Sequence, residues 1–402
     1  MKILLLTQWF EPEPTFKGLL FAQALREQGH EVEVLTGFPN YPGGKVYDGY
    51  KISFYQKEIM DGIVVHRVPL YPSHDSSSFK RILNYISFAV SSSVFGLVKT
   101  RMIDVIYSYH PPLTTSLSAL FISFFKRVPF VVDIQDLWPD TLTATGMVKN
   151  TKVLNVVNMA CHLVYRQASK IVVLSPGFKK RLIDRGVSES KIEVIYNWCN
   201  ESALANHEEC SVKLPSNGKL NLVFAGNLGF AQGLPAIIDA AEILKEGKVD
   251  VNIVFVGDGV AKADAINISQ VKTLDNVYFL PRVPMTQIGS ILLEADMLLV
   301  HLNDDELFRI TIPSRTQANL ATGKPIVMGV KGDAADLIDM AGAGLICEPN
   351  NPVLLADAIK KLVEKTPQER EMMGYNAKHF YNENLSLRKG VSRFISIFED
   401  IQ

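Results

Sequence analysis

Short apolar runs alternate with helical patterns along the whole chain, and this alternation constrains the fold more than any other feature. The runs fall at 2–9, 31–36, 63–68, 104–109, 129–134, 170–175 and 191–197, then at 220–226, 251–257, 276–281, 295–302, 324–330 and 344–349. Between them lie segments such as FKGLLFAQALREQG (16–29), where Leu19, Leu20, Ala24 and Leu25 form one stripe and Gly29 suits the position beyond a helix end. Near-continuous Val/Ile/Leu strands imply a parallel sheet covered by helices on both faces. The pattern breaks at 197–219, which is polar and turn-rich and reads as a linker. The 402 residues therefore predict two doubly wound, Rossmann-like α/β domains, 1–198 and 199–385, with the last helix, about 386–402, packing back on the first. Ligands of such folds bind at the carboxyl ends of the strands, and two facing domains would enclose a cleft.

The loops at those strand ends hold the candidate chemistry. LVFAGNLGFAQGL (222–234) runs from a strand into a helix through Gly226, Gly229 and Gly233, with Asn227 and Gln232 between them. A small-residue loop at a helix start turns backbone N–H groups toward an anion. No Lys or Arg lies between Lys219 and Lys245, so the neutralising charge must come from elsewhere. Pro313, Ser314 and Arg315 open a later helix, which makes Arg315 the first candidate, with Arg309 and Lys324 in reserve. VGDG (256–259) adds Gly257 and Asp258, but Lys262 stands where a dinucleotide fingerprint needs its third glycine, which argues against an oxidoreductase. In the first half, TQWFEPEPTFKG places Lys17 and Gly18 at a helix N-terminus, a second potential anion site. DIQDLWPD (133–140) sets Asp136 beside Trp138 and Pro139 in a shaped, acidic loop.

Composition narrows the setting. The four cysteines, at 161, 199, 210 and 347, have no metal-ligand spacing and suit a reducing compartment. Residues 1–200 carry 22 Lys and Arg against 16 Asp and Glu, whereas the remainder carries 19 against 26. A basic first half suits an anionic partner such as a membrane surface. The uncharged run Ile82–Val98 is short for crossing a bilayer and predicts either a buried helix or one lying against the membrane, and LTTSLSALFISFFKR (113–127) repeats its style. Lys2 leads straight into an apolar strand with no cleavage site after it, so no signal peptide is expected.

In order along the chain, EPEPTFKGLLFAQALREQGHEVEVLT, DVIYSYHPP, LVFAGNLGFAQGL, IVFVGDGV, NVYFLPRVP and PSRTQANLATGKPIV resemble the GT-B glycosyltransferases of retaining family 4. TGFPNYPGGKVYDGY and DIQDLWPD resemble the branch that includes bacterial L-fucosamine (L-FucNAc) transferases. The resemblance implies a UDP-sugar donor on the second domain and a lipid-linked (undecaprenyl-diphosphate) saccharide acceptor on the first, in O-antigen or capsule synthesis. It implies neither metal nor cofactor, no nucleic acid, and a peripheral place on the inner face of the cytoplasmic membrane. Asp136, Arg315 and Glu306 take the catalytic positions. Gly18, Lys17, Gly226, Asn227, Gln232, Gly233, Gly257, Asp258, Arg282, Val283, Pro313, Ser314 and Gln317 take the donor-binding ones, and Tyr41, Trp138 and His110 the acceptor-binding ones. The chain departs from the pattern at Asn227 and Gln232, where many members carry Arg and Lys, at Gln135 in place of His, and at Ala318 in place of a second Glu. Those departures leave two rivals: a UDP-sugar 2-epimerase of the same fold, and a non-catalytic nucleotide-sugar-binding protein.

Overall fold

Lys2–Leu6 (β1) pairs in parallel with Glu31–Gly37 (β2) on one side and with Val105–His110 on the other, so the first strand lies inside its sheet. The computed structural model describes every residue except 74–77, 145–146, 149, 206–209 and 211. It divides into two units: Met1–Leu174, Phe178–Ile195 and Val391–Gln402 form the first, Ser175–Gly177 and Tyr196–Gly390 the second. The middle of the expected linker lies outside the described residues.

In the first unit the remaining strands are β3 (Gln56–Met60), β4 (Ile63–Val68), β5 (Val105–His110), β6 (Phe130–Ile134), β7 (Lys170–Val173) and β8 (Ile192–Val194). They form one sheet in the order β3-β4-β2-β1-β5-β6-β7-β8. All neighbours are parallel except β3 and β4, an antiparallel hairpin turning at Asp61 and Gly62, both at positive φ. The sequence reading gave β4 but not its outer partner β3, although Asp-Gly is a known hairpin signal. The helices are α1 (Leu19–Glu27), α2 (Ser78–Lys99), α3 (Leu113–Lys126), α4 (Asp140–Ala144), α5 (Thr151–Gln167) and α6 (Pro176–Asp184). α3 packs against both α2 and α5. Inward-facing Asn84, Phe88, Ser92 and Phe95 hold α2 to the unit, and its Ser92 hydroxyl donates to Ser118 of α3 at 3.0 Å.

The second unit contains α7 (Glu201–Ala205), β9 (Leu220–Ala225), α8 (Leu234–Glu246), β10 (Val251–Val256), α9 (Lys262–Val271), β11 (Val277–Leu280), α10 (Met285–Glu294) and β12 (Met297–His301). It continues with α11 (Glu306–Arg309), α12 (Ser314–Thr322), β13 (Ile326–Gly329), α13 (Asp333–Ala341), β14 (Gly344–Ile346), α14 (Pro352–Glu364) and α15 (Pro367–Asn384). The all-parallel sheet runs β11-β10-β9-β12-β13-β14, with a hydrophobic cluster on each face. Cys199, Cys210 and Leu214, expected in a polar linker, are buried in one of those clusters, because their short apolar runs escape a periodicity search. The final helix, α16 (Leu387–Asp400), lays Phe394 against Phe21 of α1 and Tyr107 of β5, at centroid distances of 5.2 and 5.6 Å.

Candidate active site

In the second unit, β9 ends under Arg315. The guanidinium Cζ lies over the Phe224 ring, 4.2 Å from its centroid, and a Cβ on Gly226 would stand 3.4 Å from its Nη2. Its Nη1 is buried and has no hydrogen-bond partner among the described residues. Desolvation alone pulls the group down to about 10, so it remains a cation at neutral pH. A buried, charged donor with nothing to donate to is costly, and native structures seldom tolerate one without a functional reason. The expected source of positive charge therefore reaches the expected loop, from a helix some ninety residues further along the chain. Arg309 does not compete, because its guanidinium is paired with Asp304 at 2.7–2.8 Å.

The loop itself is braced from below by a residue that the sequence reading missed. His301, fully buried at the end of β12, meets the Gln232 carbonyl through Nδ1 at 2.8 Å and accepts from the Asn350 N–H through Nε2 at 3.2 Å. Burial and the nearby Arg315 lower its pKa, which suits a neutral ring protonated at Nδ1. The sequence signal was a polar residue closing an otherwise apolar strand. Gln232, expected to face the donor, is buried instead. Its Oε1 accepts from Gly229 N at 2.9 Å, so it closes the loop on itself. Gly233 turns the chain into α8 at φ +61°, and Asn227 is exposed.

VGDG serves the loop rather than forming a pocket of its own. Gly226 N donates to Val256 O at 2.9 Å, Leu228 N to Asp258 O at 2.8 Å, and Ala261 N to Leu228 O at 2.9 Å. A Cβ on Gly257 would overlap the Gly226 carbonyl, so glycine is required for the two backbones to approach. The Asp258 carboxylate accepts from Gly259 N at 2.9 Å. Lys262 Nζ donates to the Gly257 carbonyl at 2.9 Å, bringing a second cation to this strand end. At α12, Pro313 is the N-cap and Ser314 is exposed, but Gln317 is buried. In its satisfied orientation the Gln317 amide donates to the carbonyls of Pro313 and Ser314 at 2.7 and 3.1 Å, which removes it from donor contact. Glu306 begins α11 and is exposed, as is Arg282, whereas Val283 leans on the core.

The first unit also sorts its candidates. Of the three carboxylates in DIQDLWPD, Asp133 is buried and bonded to Lys17 Nζ and Tyr107 Oη, both at 2.5 Å, and to Gln135 Nε2 at 2.6 Å. Asp140 pairs with Arg185. Of the three, Asp136 alone makes no side-chain hydrogen bond or ion pair with the described residues, and desolvation raises its pKa. Lys17, expected to bind an anion, is fully enclosed by that ion pair with Phe394 above its ammonium at 5.0 Å. Gly18, expected beside donor phosphates, is covered by Glu11, whose Oε2 accepts from Leu19 N at 2.9 Å and so caps α1 internally. That helix N-terminus is satisfied by the chain's own carboxylate.

The expected acceptor wall is partly interior. Trp138 is 9% exposed and packs edge-on against His110 at 5.7 Å and near Tyr85 at 6.3 Å. His110 is fully buried, neither ring nitrogen has a hydrogen-bond partner among the described residues, and burial lowers it to about 4, leaving it neutral. These two support the site from behind. The half-buried aromatics at this strand end are Tyr41, tilted at 31° against Trp9 with centroids 4.7 Å apart, and Tyr85 of α2, whose pKa is raised mainly by burial and partly by Tyr41 and Asp136. Trp9 and Tyr85 escaped the sequence reading, since their proximity is tertiary. Among the described residues no group of three or more His, Cys, Asp or Glu is placed to hold a metal ion.

Solved structures match this architecture over its full length. Anabaena Alr3699/HepE, crystallised with UDP, aligns with a TM-score of 0.68 at 17% identity over all of both chains. Trehalose-6-phosphate synthase OtsA aligns with a TM-score of 0.68 at 12% identity, again over all of both chains. The fold is GT-B. Residues 19–198 match the family described as Glycosyl transferase 4-like domain, and residues 207–380 match Glycosyl transferases group 1. WcaI of Escherichia coli (strain K12), named as a glycosyl transferase of colanic acid biosynthesis, is 29% identical over 315 residues, 75% of this chain and 76% of its own. WbjE of Pseudomonas aeruginosa, named as a glycosyltransferase, is 25% identical over 312 residues, covering 73% and 77%. The chain is a glycosyltransferase with a 4-like first half and a group 1 second half.

Proposed function

We propose that this enzyme transfers a sugar, with retention, from a UDP-sugar to a hydroxyl of a lipid-linked saccharide in bacterial surface-polysaccharide synthesis. The observation that carries the proposal is the buried Arg315 guanidinium beside Gly226, whose Nη1 is left without a hydrogen-bond partner among the described residues. When the bond from the anomeric carbon to the diphosphate oxygen breaks, negative charge grows on the departing UDP. Arg315 and the loop N–H groups stabilise that charge more in the transition state than in the ground state. The anomeric carbon bonds to the acceptor oxygen, and the acceptor proton passes to the leaving phosphate. Arg315 supplies the charge that a metal would otherwise bring, so the reaction is proposed to be metal-independent. Asp136 orients a sugar hydroxyl, and Tyr41, Trp9 and Tyr85 provide faces on which sugar rings stack. The colanic-acid name of WcaI and the UDP bound by HepE support the polysaccharide setting and the donor class. The likeness of TGFPNYPGGKVYDGY and DIQDLWPD to L-FucNAc transferases makes UDP-L-FucNAc the first donor to assay.

The test is thermal stabilisation by UDP, GDP, dTDP and NAD at equal concentration. A ligand present at 100 times its dissociation constant adds about 2.7 kcal/mol. Stabilisation by UDP alone supports the proposal, whereas stabilisation by NAD, or by no nucleotide, overturns it. Turnover of UDP-sugars without any acceptor would favour the epimerase instead.

A further inference from the structure

The sheet of the second unit stops at β14, and that edge is open. Ile326 N donates to Ala343 O at 3.0 Å and Cys347 N to Met328 O at 2.9 Å, so Ala343, Leu345 and Cys347 turn their backbone groups toward β13. Gly344 and Ile346 alternate with them and point theirs away from the sheet, where no hydrogen bond to a described residue takes them up. Helices α13 and α14 cover opposite faces: Ala334 and Ala335 of α13 pack in one hydrophobic cluster, Leu355 and Ala358 of α14 in the other. Both helices overhang the strand, and between them runs a groove of about 510 Å³ with Leu345, Ile346 and Cys347 along its floor. Exposed edges are usually blunted by charge. At the edge of the first sheet β3 carries Lys57 and Glu58, whereas β14 is Gly-Leu-Ile and Ile346 is 41% exposed.

The two walls decide what kind of strand fits. On α14, Asp357 is paired with Lys361 at 2.7 Å and exposed Leu354 lies in the same wall, which is therefore apolar with its charges cancelled. On α13, Asp336 and Asp339 are exposed and make no side-chain hydrogen bond or ion pair with the described residues. Lys331, at the end of the groove, is already held by Asp304 and Glu348 at 3.3 and 2.5 Å and neutralises neither. We propose that the β14 edge docks an extended segment of a partner protein in which Lys or Arg alternates with an aliphatic residue, adding a seventh strand to this six-stranded sheet. Successive side chains of a strand point to opposite faces, so the basic ones lie along Asp336 and Asp339 and the aliphatic ones against Leu354, while Gly344 and Ile346 supply the ladder hydrogen bonds. A second copy of the chain fits less well. Two-fold pairing of β14 with itself would set α13 beside its own copy, acid against acid. Docking goes beyond the transfer reading and is measured without any nucleotide or turnover, so either can fail alone.

The test is fluorescence anisotropy of the full chain with a dye-labelled six-residue peptide of alternating Lys and Val, blocked at both ends, alongside a peptide of alternating Glu and Val. The basic peptide should bind saturably, and more weakly as salt rises, while the acidic one should not bind. Methylation of every backbone nitrogen of the basic peptide should abolish binding, because a ladder needs those N–H groups and charge attraction does not. Asp336→Asn with Asp339→Asn should weaken binding about fivefold and leave the thermal melt unchanged, both side chains being exposed. The methylated peptide keeps the test on the wild-type chain if that variant does not fold. No saturable binding of the basic peptide overturns the proposal, and so does equal binding of the acidic or the methylated one.

Discussion

Arg315→Met separates a catalytic guanidinium from a packing one, because the two roles move stability in opposite directions. In the wild type the cation is desolvated and its Nη1 unpaired among the described residues, and its pKa falls to about 10. That drop corresponds to about 3 kcal/mol of penalty on the charged form. Lost stacking of the cation on Phe224 gives back about 1–2 kcal/mol. Methionine fills similar space with no charge, so the folded state should be unchanged or stabilised by about 1–2 kcal/mol. In a domain of this size each kcal/mol is worth about 2–4 °C in Tm. Transfer should fall by about 10²–10³, the usual cost of removing one donor that faces developing charge. The assays are a thermal melt without nucleotide and initial-rate transfer from a UDP-sugar. A melt lowered by several degrees alongside the lost activity would show that Arg315 holds the fold, and activity within a factor of two of wild type would remove its role altogether.

Four further outcomes are expected. Asp136→Asn should abolish transfer while UDP still raises Tm, and loss of the UDP response would make Asp136 structural. Lys17→Met should lower the denaturation free energy by about 3–5 kcal/mol, since it strands a buried Asp133, and a shift under about 1 kcal/mol would mean that the pair is hydrated. Gly257→Ala should abolish stabilisation by UDP with the fold retained by circular dichroism, because the loops after β9 and β10 can no longer touch. Glu13 accepts from the N–H groups of Phe10, Asn40 and Tyr41, yet burial raises its carboxyl from 4.5 to about 7. The folded state then holds a proton that the unfolded chain has released. Its contribution is therefore complete below about pH 4.5 and is lost as pH rises toward about 7. Across that range wild type should lose stability relative to Glu13→Gln, whose amide mimics the protonated carboxyl, and a flat difference would refute the shift.

The strands, the long helices and the doubly wound class could be read from sequence because period and apolar run length are local properties. β3 was missed because its alternation is weak and its edge position leaves it half-exposed. The opening loop was also legible, and so was its need for a cation from elsewhere. Which polar residues face outward was not. Lys17 and Asp133, 116 residues apart, cancel one another in the core, Glu11 fills the helix end beside Gly18, and Gln232 and Gln317 turn inward to satisfy backbone groups. A sequence records that a charge exists but not what lies beside it, and burial decides whether that charge is neutralised within the fold or left for a ligand. Only the folded arrangement shows that Lys17, Asp133 and Asp140 are paired within the first unit, whereas the buried Nη1 of Arg315 in the second unit has no hydrogen-bond partner among the described residues.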